Sequence, residues 1–289
     1  MSLNSFLSLV KFSHTVFAMP FAMLGFFVAL HHDGIQPVLF RELGLILLCM
    51  VTARNAAMAF NRWADRLIDS RNARTAMREI PAGVISAKSA VIFIVINSLI
   101  FVASAWFLNP LCFLLSPVAL AIVLGYSYTK RFSWLCHVFL GLGLSLAPVG
   151  AYVAVTGHFD LLPVLYGIAV IAWVAGFDVL YALQDIEFDQ SEQLYSIPAR
   201  FGIRKAMAIS SVLHVLSAVC ILACSWILYV DFGLQYWMFA GTAGFIFLLA
   251  YQHWIIRDNH LERINLAFFT TNGIASILLA SLTIIDFYL

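Results

Sequence analysis

The stretch NRWADRLID, Asn61 to Asp69, sets an amide and two carboxylates four residues apart: Asn61, Asp65 and Asp69. Residues at that spacing share one face of a helix. They close a nearly unbroken apolar run, LGLILLCMVTARNAAMAF. A second group follows later in the chain, where GFDVLYALQDIEFD ends on Asp185 and Asp189. Each D-x-x-x-D is followed by a polar arm containing Ile-Pro-Ala, Ile80-Pro81-Ala82 in the first and Ile197-Pro198-Ala199 in the second. At about 100° per residue, Asp178, Tyr181, Asp185 and Asp189 are predicted to form one stripe, with Glu187 on the opposite side. The matching stripe before the first arm holds Arg54, Asn61, Asp65 and Asp69, flanked by Arg62 and Arg66.

Facing each other, the two stripes would bring four carboxylates to one place. Such a group cannot stay fully ionised alone. A divalent cation resolves the repulsion. Mg²⁺ prefers oxygen ligands, takes one or two carboxylates, and fills its other positions with water and phosphate oxygens. Helix C-termini add partial negative charge, and nearby guanidinium groups suit the far side of a diphosphate. The residues therefore point to a Mg²⁺-diphosphate site whose ligand has an apolar tail, and an isoprenyl diphosphate fits. The competing reading is ordinary pairing of Asp and Arg at a membrane boundary. It leaves the duplicated motif and its matching arms unexplained.

The elements carrying these residues are membrane helices. The chain of 289 residues is 63% hydrophobic and 11% charged, with a mean hydropathy of +0.94. Soluble domains carry about a quarter charged residues. Nine apolar runs are predicted to span: 13–31, 41–62, 89–107, 111–128, 134–156, 161–184, 205–229, 235–256 and 265–285. Runs near 20 residues specify helices, and the first lacks the basic leader and cleavage site of a removed signal. The expected fold is an all-α integral membrane bundle over residues 1–289, a single domain with an internal pseudo-repeat. Thirteen of the sixteen Lys and Arg fall in the loops after spans 2, 4, 6 and 8, including Arg257 and Arg263. The opposite loops hold little charge beyond Asp33, Arg41, Glu42, Asp160 and Asp231. Positive-inside then places the N-terminus and the acidic motifs at the cytoplasmic face. A net charge of +1 gives no support to a nucleic-acid partner. The five cysteines show no metal spacing and are expected to pack as free thiols. The scattered histidines, with His14, His31 and His32 at predicted boundaries, read as solvated or interfacial.

The pattern N-x-x-x-D-x-x-x-D with RT..R.IP.G after it, and GFD..YA.QD before the second pair, resembles the UbiA superfamily of intramembrane aromatic prenyltransferases. The loop GYSYTKRFSWL resembles that family's basic loop, and KFSHTVFAMPFAMLG resembles its quinone-biosynthesis branch. The resemblance covers spans 1 to 6 and fades after Lys205. It implies nine spans, a bacterial inner-membrane location, Mg²⁺, an isoprenyl diphosphate donor, a small aromatic acid acceptor and a tail lying among lipid and helices. The implied acceptor is 4-hydroxybenzoate, with 1,4-dihydroxy-6-naphthoate for menaquinone as the alternative. The reaction would be aromatic substitution, with Mg²⁺ and basic groups taking the departing diphosphate.

On that reading Asn61, Asp65, Asp69, Asp185 and Asp189 hold the Mg²⁺-diphosphate. Arg66, Lys130 and Arg131 contact the diphosphate. Asp178 and Tyr181 lie deeper, toward the acceptor, and residues 70–87 form a lid that excludes water. Arg54 stands about 10 Å deeper than Asn61 by helix rise. A charge at that depth needs a partner, either Asp178 in an ion pair or the acceptor's carboxylate. An ion-coupled transporter would also carry intramembrane carboxylates and a repeat. Its carboxylates, however, belong near the midplane of broken helices, and these motifs lie at helix ends beside basic loops.

Overall fold

The computed structural model describes residues 18–32, 40–256 and 266–289 (backbone only for 266–268), with Phe6, Leu9 and Ile264 besides. Residues 13–17 of the first predicted span, His14 among them, lie outside these, as do Asp33, Arg257, Arg263 and residue 265. Among the described residues every regular element is helical. The long helices are α1 (Met19–His32), α2 (Phe40–Ala64), α3 (Ala87–Leu108), α4 (Pro110–Thr129), α5 (Cys136–Thr156), α6 (Leu161–Tyr181), α7 (Ile197–Phe232), α8 (Tyr236–Ile256) and α9 (Asn272–Asp286). Eight helical segments are long and apolar enough to cross a membrane, and the described part of α1 is a shorter apolar helix. The protein is an integral membrane bundle.

The narrow gap between spans 3 and 4 is closed by one residue. Asn109 is fully extended (φ −160°, ψ 166°), and its side-chain oxygen accepts the Cys112 N–H, capping α4 with Pro110 in the first turn. Its Nδ2 donates to the carbonyls of Val153 and Ala154, which pins the turn to the end of α5. Span 7 starts at 197, earlier than its apolar run predicts. Ser196 caps it by accepting the Ala199 N–H, and Gly202 at φ 77° kinks the chain before the apolar part begins.

Helix α6 is the axis of the molecule, packed between α5 and α7 and buried along most of its length. Close approach to α5 needs a residue without a side chain. A Cβ on Gly141 would stand 2.6 Å from the Ile171 carbonyl oxygen. The Trp173 indole donates to Asn272 Oδ1 at 2.9 Å, and Gln252 donates to the same oxygen at 2.6 Å, joining α6, α8 and α9. Helix α2 packs on α3, and α1 bridges α5 and α9. The C-terminal end of α6 is thereby held rigidly, and the second acidic motif begins there.

Candidate active site

Both acidic motifs sit at a break in their helix, and the breaks match. Helix α2 stops at Ala64. Asp65 takes φ −89°, ψ 4°, and a short helix, Arg66–Asp69, ends on the second aspartate. Helix α6 stops at Tyr181. A 3₁₀ turn, Ala182–Asp185, leads to Asp185 at φ −108°, ψ 8°, and a short helix, Ile186–Ser191, contains Asp189. Both leading aspartates lie in the sparsely occupied bridge region. No Gly or Pro marks either break in the sequence, so an uninterrupted stripe was the natural expectation. In the first motif the i,i+4 backbone bonds persist through Asp65 and the Asn61 amide reaches the Asp65 carboxylate, while in the second the 3₁₀ turn interrupts the stripe.

Asp65 is buried, and its Oδ1 accepts from Arg131 Nη2 at 3.1 Å. Its Oδ2 accepts from Asn61 Nδ2 at 3.3 Å and faces Lys130 Nζ at 3.6 Å. Arg131 also donates to the Ala64 carbonyl at 2.7 Å, at the C-terminal end of α2. Asp69, also buried, takes Arg78 Nη1 on both oxygens at 2.8 Å. Arg74 crosses to the other motif. It forks onto Asp185 through Nε at 3.2 Å and Nη2 at 2.6 Å, and its Nη1 reaches the Tyr181 hydroxyl at 3.1 Å. Burial pulls this guanidinium's pKa down, but the Asp185 charge and the Tyr181 contact outweigh it and leave it above the ordinary arginine value. Arg71 pairs with Glu192 at 2.9 Å. Asp189 is buried beside Ser196 and Lys130. The segment 70–86 thus straps the first motif to the second, through Arg74 on Asp185 and Arg71 on Glu192.

Two expected contacts differ. Arg66 turns back on its own helix, donates to the Trp63 carbonyl at 2.7 Å and lies over the Trp63 ring. Among the described residues it meets no carboxylate, whereas Arg74 and Arg78 do. Both stood in the RT..R segment, but only a three-dimensional partner distinguishes them from the other arginines there. Asp178 does not pair with Arg54. It is held by His137, whose Nδ1 lies 2.7 Å from Asp178 Oδ2. His137 was not anticipated, although it is the one basic residue in CHVFLGLG.

Arg54 lines a cavity of about 350 Å³ enclosed by α2, α3, α4 and α5. The cavity wall is otherwise mainly apolar, with Tyr126, Met58, Cys112, Leu140 and Phe159 along it. The Arg54 Nε is buried without a hydrogen-bond partner. Tyr126, on the cavity wall, lies within electrostatic reach of Arg54, Asp65 and Asp178.

The donor set is one amide and four carboxylates, all hard oxygen ligands. Among the described residues no three His, Cys, Asp or Glu converge as a cage. A Mg²⁺ held by one or two carboxylates and completed by water and phosphate needs no such cage, so these residues fit that ion.

Residues 18–274 match the UbiA prenyltransferase family. The chain belongs to that family. Among curated relatives, the 4-hydroxybenzoate octaprenyltransferase of Idiomarina loihiensis is 32% identical over 214 residues, 74% of each chain. That of Aliivibrio fischeri (strain MJ11) is 28% identical over 243 residues, 83% of this chain and 82% of the relative. The apo structure of a UbiA homolog from Aeropyrum pernix K1 superposes with a TM-score of 0.83 at 33% identity, covering 94% of this chain and 98% of the other. A UbiA homolog from Archaeoglobus fulgidus, bound to GPP and Mg²⁺, shares the fold with a TM-score of 0.74 at 20% identity, covering 99% and 100%. Family membership agrees with the two acidic motifs, which lie within the matched residues.

Proposed function

We propose that residues 1–289 form one catalytic unit that transfers a polyprenyl group from an isoprenyl diphosphate to an aromatic acid, 4-hydroxybenzoate, in quinone biosynthesis. The observation that carries this reading is Arg54: a guanidinium whose Nε has no hydrogen-bond partner among the described residues, lining an apolar cavity, with two acidic motifs and their arginines elsewhere in the same bundle. The relatives' name, 4-hydroxybenzoate octaprenyltransferase, supports the acceptor. The A. fulgidus homolog's GPP and Mg²⁺ support the donor and the metal.

On this reading Asn61, Asp65, Asp69, Asp185 and Asp189 hold Mg²⁺, which supplies charge neutralisation of the leaving diphosphate. Lys130, Arg131, Arg74 and Arg78 bind the diphosphate oxygens once these displace their carboxylate partners. The prenyl tail lies in the apolar cavity and continues into lipid. Arg54 binds the acceptor's carboxylate and turns its ring toward the prenyl C1. Tyr181, hydrogen-bonded to Arg74, positions that guanidinium. The C1–oxygen bond breaks, C1 bonds to the ring carbon, and the ring proton passes to the Asp178 carboxylate. The strap 70–86 keeps water from the cationic carbon. The charge bias of the loops supports a cytoplasmic face for this site, and the family resemblance supports the bacterial inner membrane. Purified protein with Mg²⁺ and a prenyl diphosphate should yield prenylated 4-hydroxybenzoate, detected by mass. Product only from 1,4-dihydroxy-6-naphthoate would reassign the acceptor, and no product from either would remove the proposal.

A further inference from the structure

His137 sits at the start of α5, buried, between the second acidic motif and its Ile-Pro-Ala arm. Its two ring nitrogens have different partners. Nε2 lies 3.2 Å from the backbone nitrogen of Ile197, the first residue of α7. A backbone N–H can only donate, so Nε2 carries a lone pair and no proton. The ring proton therefore sits on Nδ1, which lies 2.7 Å from Asp178 Oδ2. The Ile197 amide is one of the N–H groups a helix start leaves without an internal partner. Here it selects a tautomer. Asp178 is partly exposed although α6 around it is buried. One oxygen is thus fixed by the imidazole, and the carboxylate lies within electrostatic reach of Tyr126, which lines the cavity.

We propose that His137 is a positioning residue: locked as the Nδ1–H tautomer by Ile197, it holds the Asp178 carboxylate aimed at the acceptor ring. This rests on the prenyl-transfer reading. An imidazole N–H held on one carboxylate oxygen fixes that side chain's rotamer. It also gives the second arm a task. Ser196 caps α7 and adjoins Asp189, while Ile197 sets His137, so one short segment orders both the metal-side carboxylate and the proton acceptor.

Two amide substitutions separate this role from a merely structural one. The Asn amide nitrogen overlies Nδ1 and keeps the donor to Asp178. The Gln side-chain tip overlies Nε2 and keeps only the acceptor for Ile197. Full-length protein in lipid nanodiscs would be assayed with Mg²⁺, a prenyl diphosphate and 4-hydroxybenzoate. His137→Gln should lower kcat by about 100-fold, the usual cost of a misplaced catalytic group, with the prenyl diphosphate KM unchanged. His137→Asn should lose less than about 10-fold, because the donor is retained. The reverse order, or equal losses that follow thermal stability, would overturn the proposal in favour of a buttress for α7. ¹⁵N-histidine spectra of the wild type, assigned by loss of a signal in His137→Asn, read the lock without turnover. Protonated Nδ1 and bare Nε2 are expected, and an imidazolium or an Nε2–H tautomer would overturn it. Failure of the wild type to prenylate any phenolic acid would instead strike the underlying function, while the spectra still decide the lock.

Discussion

Arg74 belongs to the arm of the first acidic motif, and it forks onto Asp185 of the second, at 3.2 and 2.6 Å. Arg78 pairs with Asp69, and Arg131 with one oxygen of Asp65. The carboxylates that would hold cations are already neutralised by cations of the protein. Diphosphate resolves the competition, because it offers the guanidinium groups a better partner and frees the carboxylates for Mg²⁺. The two ligands must therefore help each other. Titration calorimetry should show Mg²⁺ binding at least about 10-fold tighter with inorganic pyrophosphate present, and pyrophosphate equally tighter with Mg²⁺. Independent binding of the two would refute this exchange of partners. Arg74→Gln should act with opposite signs, strengthening Mg²⁺ alone and weakening pyrophosphate.

Removal of a metal-side carboxylate should be far costlier than removal of a surface charge. Asp65→Ala leaves Arg131 and Lys130 facing each other with no anion between them and deprives Mg²⁺ of an oxygen ligand. Its kcat/KM should fall at least about 100-fold, as should that of Asp185→Ala. Excess chelator should abolish turnover in the wild type. Full activity in chelator would remove the diphosphate site altogether.

The motifs were legible in the sequence because repetition of Asn61, Asp65 and Asp69 and of Asp185 and Asp189 survives any local distortion. The spans were legible for a similar reason, since a membrane helix must satisfy its own backbone along its whole length. The break before Asp185 was not legible, because extrapolation at 100° per residue fails across a 3₁₀ turn. Nor were the partners of Arg74, Arg78 and Asp178. Those are contacts between segments distant in sequence, and helix periodicity has no bearing on them.

One face assignment can be tested across that break. Asp189 is buried beside Ser196 and Lys130, whereas Glu187, two residues earlier, is exposed. Asp189→Asn should reduce kcat/KM by at least about 30-fold, and Glu187→Gln should stay within about 2-fold, as surface substitutions usually do. Equal losses in equally stable proteins would mean that Glu187 turns inward when substrate binds.

Arg54 gives the sharpest separation between substrate recognition and structure. The ion pair expected between Arg54 and Asp178 is absent, because Asp178 is engaged by His137, and among the described residues Arg54 has no anionic partner. A structural arginine at this depth would be paired, since an unpaired charge there is expensive. Arg54→Ala should therefore leave the melting temperature unchanged or higher. It should raise the aromatic acid's KM by about 10- to 100-fold, the worth of a charge-assisted hydrogen bond. The prenyl diphosphate's KM should barely move. Because the two residues have separate partners, Arg54→Ala combined with Asp178→Asn should show no rescue of stability. A destabilised single variant restored by the second substitution would reinstate the ion pair. An unchanged acceptor KM would take the guanidinium out of recognition.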